Sequence, residues 1–125
     1  MPNTGLKGPC AIDVVTIDRV VTRKSPGAYA LGRSDADTFY VSYIGRSDVD
    51  VAGRLKQHVG KYAQFKFDYF PSPKAAFDKE CHLYHDFGGP QGVLDNQAHP
   101  ARPDGSDWQC PRCDVFRARA AASRW

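Results

Sequence analysis

Glu80 is the single glutamate of the chain, and it stands where an apolar residue belongs. Ala76, Glu80, Leu83 and Phe87 share one helical face, so the carboxylate interrupts a buried stripe. A carboxylate in that position is costly unless it is paired or binds a cation. Arg54 is the candidate partner for a purely structural ion pair. Arg54 and His58 are four residues apart, on a helical face that flanks an apolar stripe, and so project from the edge of the core. Cys110-Pro-Arg-Cys113 has the C-x-x-C spacing of a zinc knuckle or a redox pair. A tetrahedral zinc site needs two more ligands. Cys81 and His85, one turn apart on the helix that carries Glu80, are the expected pair, with His82 and His99 as rival fourth ligands and Cys10 as a rival third. The plainer alternative leaves two reduced thiols at a turn and Cys81 buried. A redox pair lacks its usual βαβ surroundings.

These residues need a scaffold, and the patterning supplies one. Residues 1–11 read as a loose arm rich in Gly and Pro. Residues 12–22 are apolar enough to order, with a period that fits strand or helix. After the breaker Lys24-Ser25-Pro26-Gly27, residues 28–32 read as a strand, Gly32–Asp37 as a polar turn, and Thr38–Ile44 as a second strand completing a hairpin. Phe39, Val41 and Tyr43 face one side; Tyr40, Ser42 and Ile44 face the other. Ser47-x-x-Asp50 fits a capping box, Val51, Leu55 and Val59 form a buried helical stripe, and Gly60 ends it. Gln64–Phe70 alternates as a half-buried strand. Ser72-Pro73 opens a helix that runs to about Phe87 and stops at Gly88-Gly89. Residues 88–113 hold four prolines and no periodicity, and so long an irregular stretch in a small domain is functional or clamped.

The predicted fold is α/β in the loose, α+β sense. It has a small, mainly antiparallel sheet of about three strands flanked by helices, then an irregular, zinc-knuckle-like C-terminal segment. The expected divisions are an N-terminal arm (1–26), a core (27–88), the irregular segment (89–113) and a basic tail (114–125). The 125 residues suit one domain, and 42% apolar with 25% charged residues excludes a disordered chain. The apolar runs are too short to span a membrane, and MPNTGLKGPC has no apolar signal region, so a cytoplasmic protein without a membrane partner is expected. The +3 charge is concentrated at the end: Arg112, Arg117, Arg119 and Arg124 against Asp114 carry the whole excess. That tail is either a solvated helix or a contact for an anionic or protein partner.

Gly27-Ala28-Tyr29 opens the first strand and Tyr43-Ile44-Gly45 closes the second, followed by a helix bearing Arg54 and His58 and a helix bearing Glu80. In this order and spacing, residues 26–96 resemble the GIY-YIG nuclease superfamily, with Ala28 where isoleucine is usual. The resemblance implies a metal-dependent endonuclease that hydrolyses phosphodiester bonds in DNA. It implies that Glu80 holds a divalent ion, Mg²⁺ or Mn²⁺, and that Arg54 stabilises charge on the phosphate. Tyr29 or Tyr43 would orient or deprotonate the attacking water, His58 would share proton transfer or contact phosphate, and Asn96 would orient the scissile group or a metal-bound water. Two other readings stand beside it. One is a non-catalytic nucleic-acid-binding module on the same scaffold, the other a zinc-stabilised protein-interaction module. The first uses the basic tail and the tyrosines to hold nucleic acid; taken singly, Tyr29 and Tyr43 also fit as ordinary half-buried sheet residues.

Overall fold

The computed structural model describes residues 3–116. Its elements run β1 (Lys7–Ala11), α1 (Val14–Val20), β2 (Gly27–Asp35), β3 (Thr38–Ser47), α2 (Val51–Lys56), β4 (Gln64–Tyr69) and α3 (Pro73–Asp86). The strands make one antiparallel sheet in the order β1-β4-β2-β3. The sheet therefore has four strands, not three. Part of the expected loose arm is the extra strand, with Cys10 and Ala11 paired to Phe65 and Gln64 of β4. Its mostly exposed residues give no alternation to read, because the backbone ladder with β4 orders this segment. Residues 12–22 become α1, capped by the Asp13 side chain, which accepts from the Thr16 amide.

Central β2 is covered on both faces, so Gly27–Gly32 are buried without alternation. One face carries Tyr29 and Leu31 with Phe65, Phe67, Val51, Leu55 and Ile17, under α1 and α2. The opposite face carries Ala30 and Ile44 against Leu83 and Tyr84 of α3. The stretch Gly32–Asp37 is not an open turn. The strand continues to Asp35, which pairs with Thr38 around a two-residue loop, with Ala36 and Asp37 at φ +49° and +67°. Beyond Gly32 the hairpin leaves the core, so polar residues there are strand residues in solvent.

Helix α2 is shorter than the Val51-Leu55-Val59 stripe implies. Val51 and Leu55 are buried, but Val59 is 38% exposed in the turns of residues 57–61. Ser47 does not cap the helix. Its hydroxyl accepts from the Val49 and Asp50 amides one turn earlier, and Asp50 holds the N-cap position without a side-chain bond. Helix α3 begins as the sequence indicates, with the Ser72 hydroxyl accepting from the Ala75 amide and Pro73 in the first turn. No helix among the described residues is long and apolar enough to cross a membrane.

Candidate functional site

Strand β3 lies at the edge of the sheet, and a groove of about 250 Å³ runs along it. Tyr29, Tyr43, Gly45, Arg46, Asp48, Arg54, Glu80 and Ala101 line it. Tyr29 and Arg54 come from the α1/α2 side, and Glu80 comes from α3 on the opposite side. The groove joins the two faces around the β3 edge. Four of the residues singled out by sequence, Tyr29, Tyr43, Arg54 and Glu80, thus meet in one place.

Each position has a local cause. Tyr29 is paired across the ladder with Gly45. A Cβ at Gly45 would sit 2.5 Å from the Tyr29 hydroxyl, so the glycine is what lets that ring lie across β3. The Tyr29 hydroxyl meets His58 Nε2 at 3.0 Å. The His58 ring also packs against Tyr43 and Tyr62, at centroid distances of 5.2 and 6.3 Å. Burial holds His58 below its ordinary pKa, helped by Lys61 and Arg54, so the imidazole is neutral. Its Nδ1 is the one buried side-chain nitrogen or oxygen among the described residues without a hydrogen-bond partner. Burial raises the Tyr29 phenol strongly, with Tyr43 adding to it, and raises Tyr43 as well, with Glu80 adding there. Both tyrosines are neutral at rest.

Glu80 is 8% exposed. Its structural partner is Arg46, not Arg54: Arg46 donates from one terminal nitrogen to Glu80 Oε1 at 2.6 Å and from Nε to Asp48 Oδ1 at 2.8 Å. The reason is parity on β3. Arg46 follows Ile44 by two residues and faces α3, whereas Arg54 stands exposed on α2 beyond the opposite face. Burial raises Glu80 to about 6 against the lowering influence of Arg46. Ionised, this carboxylate is an oxygen donor of the kind a hard divalent cation takes.

Asn96 is placed elsewhere. Its side-chain oxygen accepts from the Ile44 amide at 3.0 Å and its nitrogen donates to the Ile44 carbonyl at 2.7 Å. With the Asp95 amide bonded to the Ser42 carbonyl, this turns residues 95–96 into a cover for the open β3 edge. Both ends of the Asn96 amide are thereby used on backbone, which corrects the expectation that it faces the scissile group.

A second cluster lies at the far end of α3. His85, His99, Cys110 and Cys113 each offer one ligand atom, all within 4.8 Å of one another, and the group could hold a metal ion such as zinc. Among the expected ligands His85, Cys110 and Cys113 come together, and His99 takes the fourth place. Cys81 does not join. It is fully buried beside Phe77 and Cys110 as an apolar thiol, and burial pushes its pKa up. His82 is also outside the group, and Cys10 lies on β1. The tail's last nine residues, including Arg117, Arg119 and Arg124, fall outside the described residues.

Sequence reading missed Arg46, Asp48 and Tyr62. Arg46 and Asp48 follow directly on Tyr43-Ile44-Gly45, and strand parity carried two residues past Ile44 locates Arg46 on the face of α3. Tyr62, whose hydroxyl donates to Asp95 at 3.0 Å, sits in the connection between α2 and β4, with no pattern to flag it. Comparison with family models, curated proteins and solved structures returns no match.

Proposed function

We propose that the groove is a phosphodiester-hydrolysing site and that the protein is a DNA endonuclease of GIY-YIG type. The observation that carries this reading is the convergence of Tyr29, Tyr43, Arg54 and Glu80 on one open groove. Two neutral phenols, a guanidinium and a buried carboxylate are a costly set to assemble for packing alone.

The groove's residues divide the work. Glu80, with Asp48 beside it, would hold Mg²⁺ or Mn²⁺ once Arg46 releases the carboxylate. The ion supplies neutralisation of charge on the phosphate and the leaving oxygen. Arg54 donates to the phosphate oxygens and stabilises the charge that develops there. Tyr29 positions a water for attack on phosphorus. As the new O–P bond forms and the ester P–O bond breaks, the water's proton passes to the Tyr29 oxygen and the phenol's own proton to His58 Nε2, 3.0 Å away. The leaving oxygen is protonated from solvent. Tyr43 closes the groove beside Tyr29 and packs on His58, keeping the imidazole in line.

The test is nicking of supercoiled plasmid by the purified chain in Mg²⁺ or Mn²⁺. Glu80→Ala and Tyr29→Phe are each expected to lower the rate by at least about 100-fold. One observation favours a second reading, a nucleic-acid-binding module without chemistry: Arg46 occupies Glu80 at 2.6 Å, where a cation would bind. Binding of DNA by wild type with no cut in either metal decides for that module.

A further inference from the structure

We infer that His85, His99, Cys110 and Cys113 form a closed, structural zinc centre that clasps the irregular segment 88–113 onto α3. The inference is independent of the hydrolytic reading, because none of the four lines the groove.

The spacing of the donors fits the ion. Cys110 Sγ lies 3.5 Å from His85 Nε2, and Cys113 Sγ lies 3.4 Å from His99 Nε2. Zinc–nitrogen and zinc–sulfur bonds of about 2.0 and 2.3 Å, at a tetrahedral angle, put N and S about 3.5 Å apart. Two imidazoles and two sulfurs select zinc over magnesium or manganese, which take oxygen ligands. Four protein ligands leave no open position for water or substrate, so the role is structural.

The surroundings are built for ligation as well. His99 Nδ1 is 2.9 Å from the Pro100 carbonyl. A proton on Nδ1 donated to that carbonyl leaves the Nε2 lone pair facing the cluster. The Arg112 amide points at Cys110 Sγ at 3.4 Å, a contact that stabilises a thiolate. Phe77, Trp108 and Phe116 pack around Cys110 and keep that side of the cluster dry.

The consequence reaches the groove indirectly. Segment 88–113 has no helix or strand of its own, yet it puts Asn96 on the β3 edge and Ala101 on the groove wall. An ion joining the end of α3 to residue 99 and to the 110–113 knuckle offsets the entropy of ordering that stretch.

The experiment is metal analysis of the untagged full chain, with cobalt substitution. Wild type is expected to hold one zinc per chain and, with Co²⁺ in its place, to show a tetrahedral visible spectrum with thiolate charge-transfer bands. His99→Ala and Cys113→Ser should lose the zinc, whereas Cys81→Ser keeps it. If a ligand variant does not fold, the wild-type stoichiometry and cobalt spectrum decide alone. A wild type that takes up neither metal overturns the centre, and so does retention in His99→Ala with loss in Cys81→Ser.

Discussion

Glu80 sits between two opposed influences, and pH separates them. Burial lifts its pKa from 4.5 to about 6, although Arg46 pulls it down. The folded chain therefore binds this proton more tightly than the unfolded chain. The stability that the proton contributes is complete below about 4.5 and is lost as pH rises through about 6. Glu80→Gln keeps an acceptor for Arg46 without the buried charge. At about pH 7.5 it should be more stable than wild type by about 2 kcal/mol, an advantage that vanishes below about pH 4. Urea unfolding at the two pH values reads this, and an equal difference at both would show that the charge is not the cause. A second prediction concerns Gly45. Gly45→Ala places a methyl 2.5 Å from the Tyr29 hydroxyl, so the ring must leave or the strand must shift. The expected cost is about 1–3 kcal/mol. The more specific sign is loss of the Tyr29–His58 contact, seen by NMR as a His58 pKa that rises toward its ordinary value. An unmoved His58 titration in a folded Gly45→Ala would mean that the glycine does not position Tyr29.

Among the elements, β3 is an edge strand whose open hydrogen-bonding groups are covered by side chain and loop. Asn96→Ala removes both bonds to Ile44 and is expected to cost about 1–3 kcal/mol. Hydrogen exchange at the Ile44 amide should accelerate, with plasmid nicking reduced far less than in Glu80→Ala. A nicking loss as large as that of Glu80→Ala, with Ile44 still protected, would return Asn96 to the chemistry. The elements also show what a sequence reveals. The alternation of Phe65 and Phe67, the Ser72-Pro73 start of α3 and the hairpin of β2 and β3 were legible because each is a local pattern with a local cause. Of Tyr29, Tyr43, Arg54 and Glu80, only Glu80 departs from the plain needs of its element; the four were legible as a set through their order and spacing, which resemble those of the GIY-YIG superfamily. Strand β1 was not, since its order comes from pairing with β4, a partner more than fifty residues away. The choice of His99 over Cys81 was equally hidden. Helical spacing puts Cys81 and His85 one turn apart, but which side chain reaches the knuckle depends on the path of a segment with no periodicity.

For the molecule as a whole, the groove residues and the excess positive charge lie in different parts of the sequence. Arg54 and Arg46 face the groove, while the excess positive charge of the sequence lies in residues 112–125. A site that is one groove along one strand edge contacts only a short stretch of DNA, so affinity on the proposed reading comes from elsewhere along the phosphate backbone. The terminal arginines Arg117, Arg119 and Arg124 are the available source. Removing residues 117–125 should weaken DNA binding uniformly across sequences. Each phosphate contact contributes about 0.9 to the slope of log affinity against log salt, so the loss of three arginines should reduce that slope by about 3. Because the truncation removes none of Tyr29, Tyr43, Arg54 and Glu80, the rate of nicking at saturating protein should be preserved in the truncated chain. Fluorescence anisotropy with a labelled duplex at several salt concentrations measures the slope, and single-turnover nicking measures the rate. A truncated chain with an unchanged slope would place the DNA grip within residues 1–116, and one with a reduced slope and a lost rate would tie the tail to the groove itself.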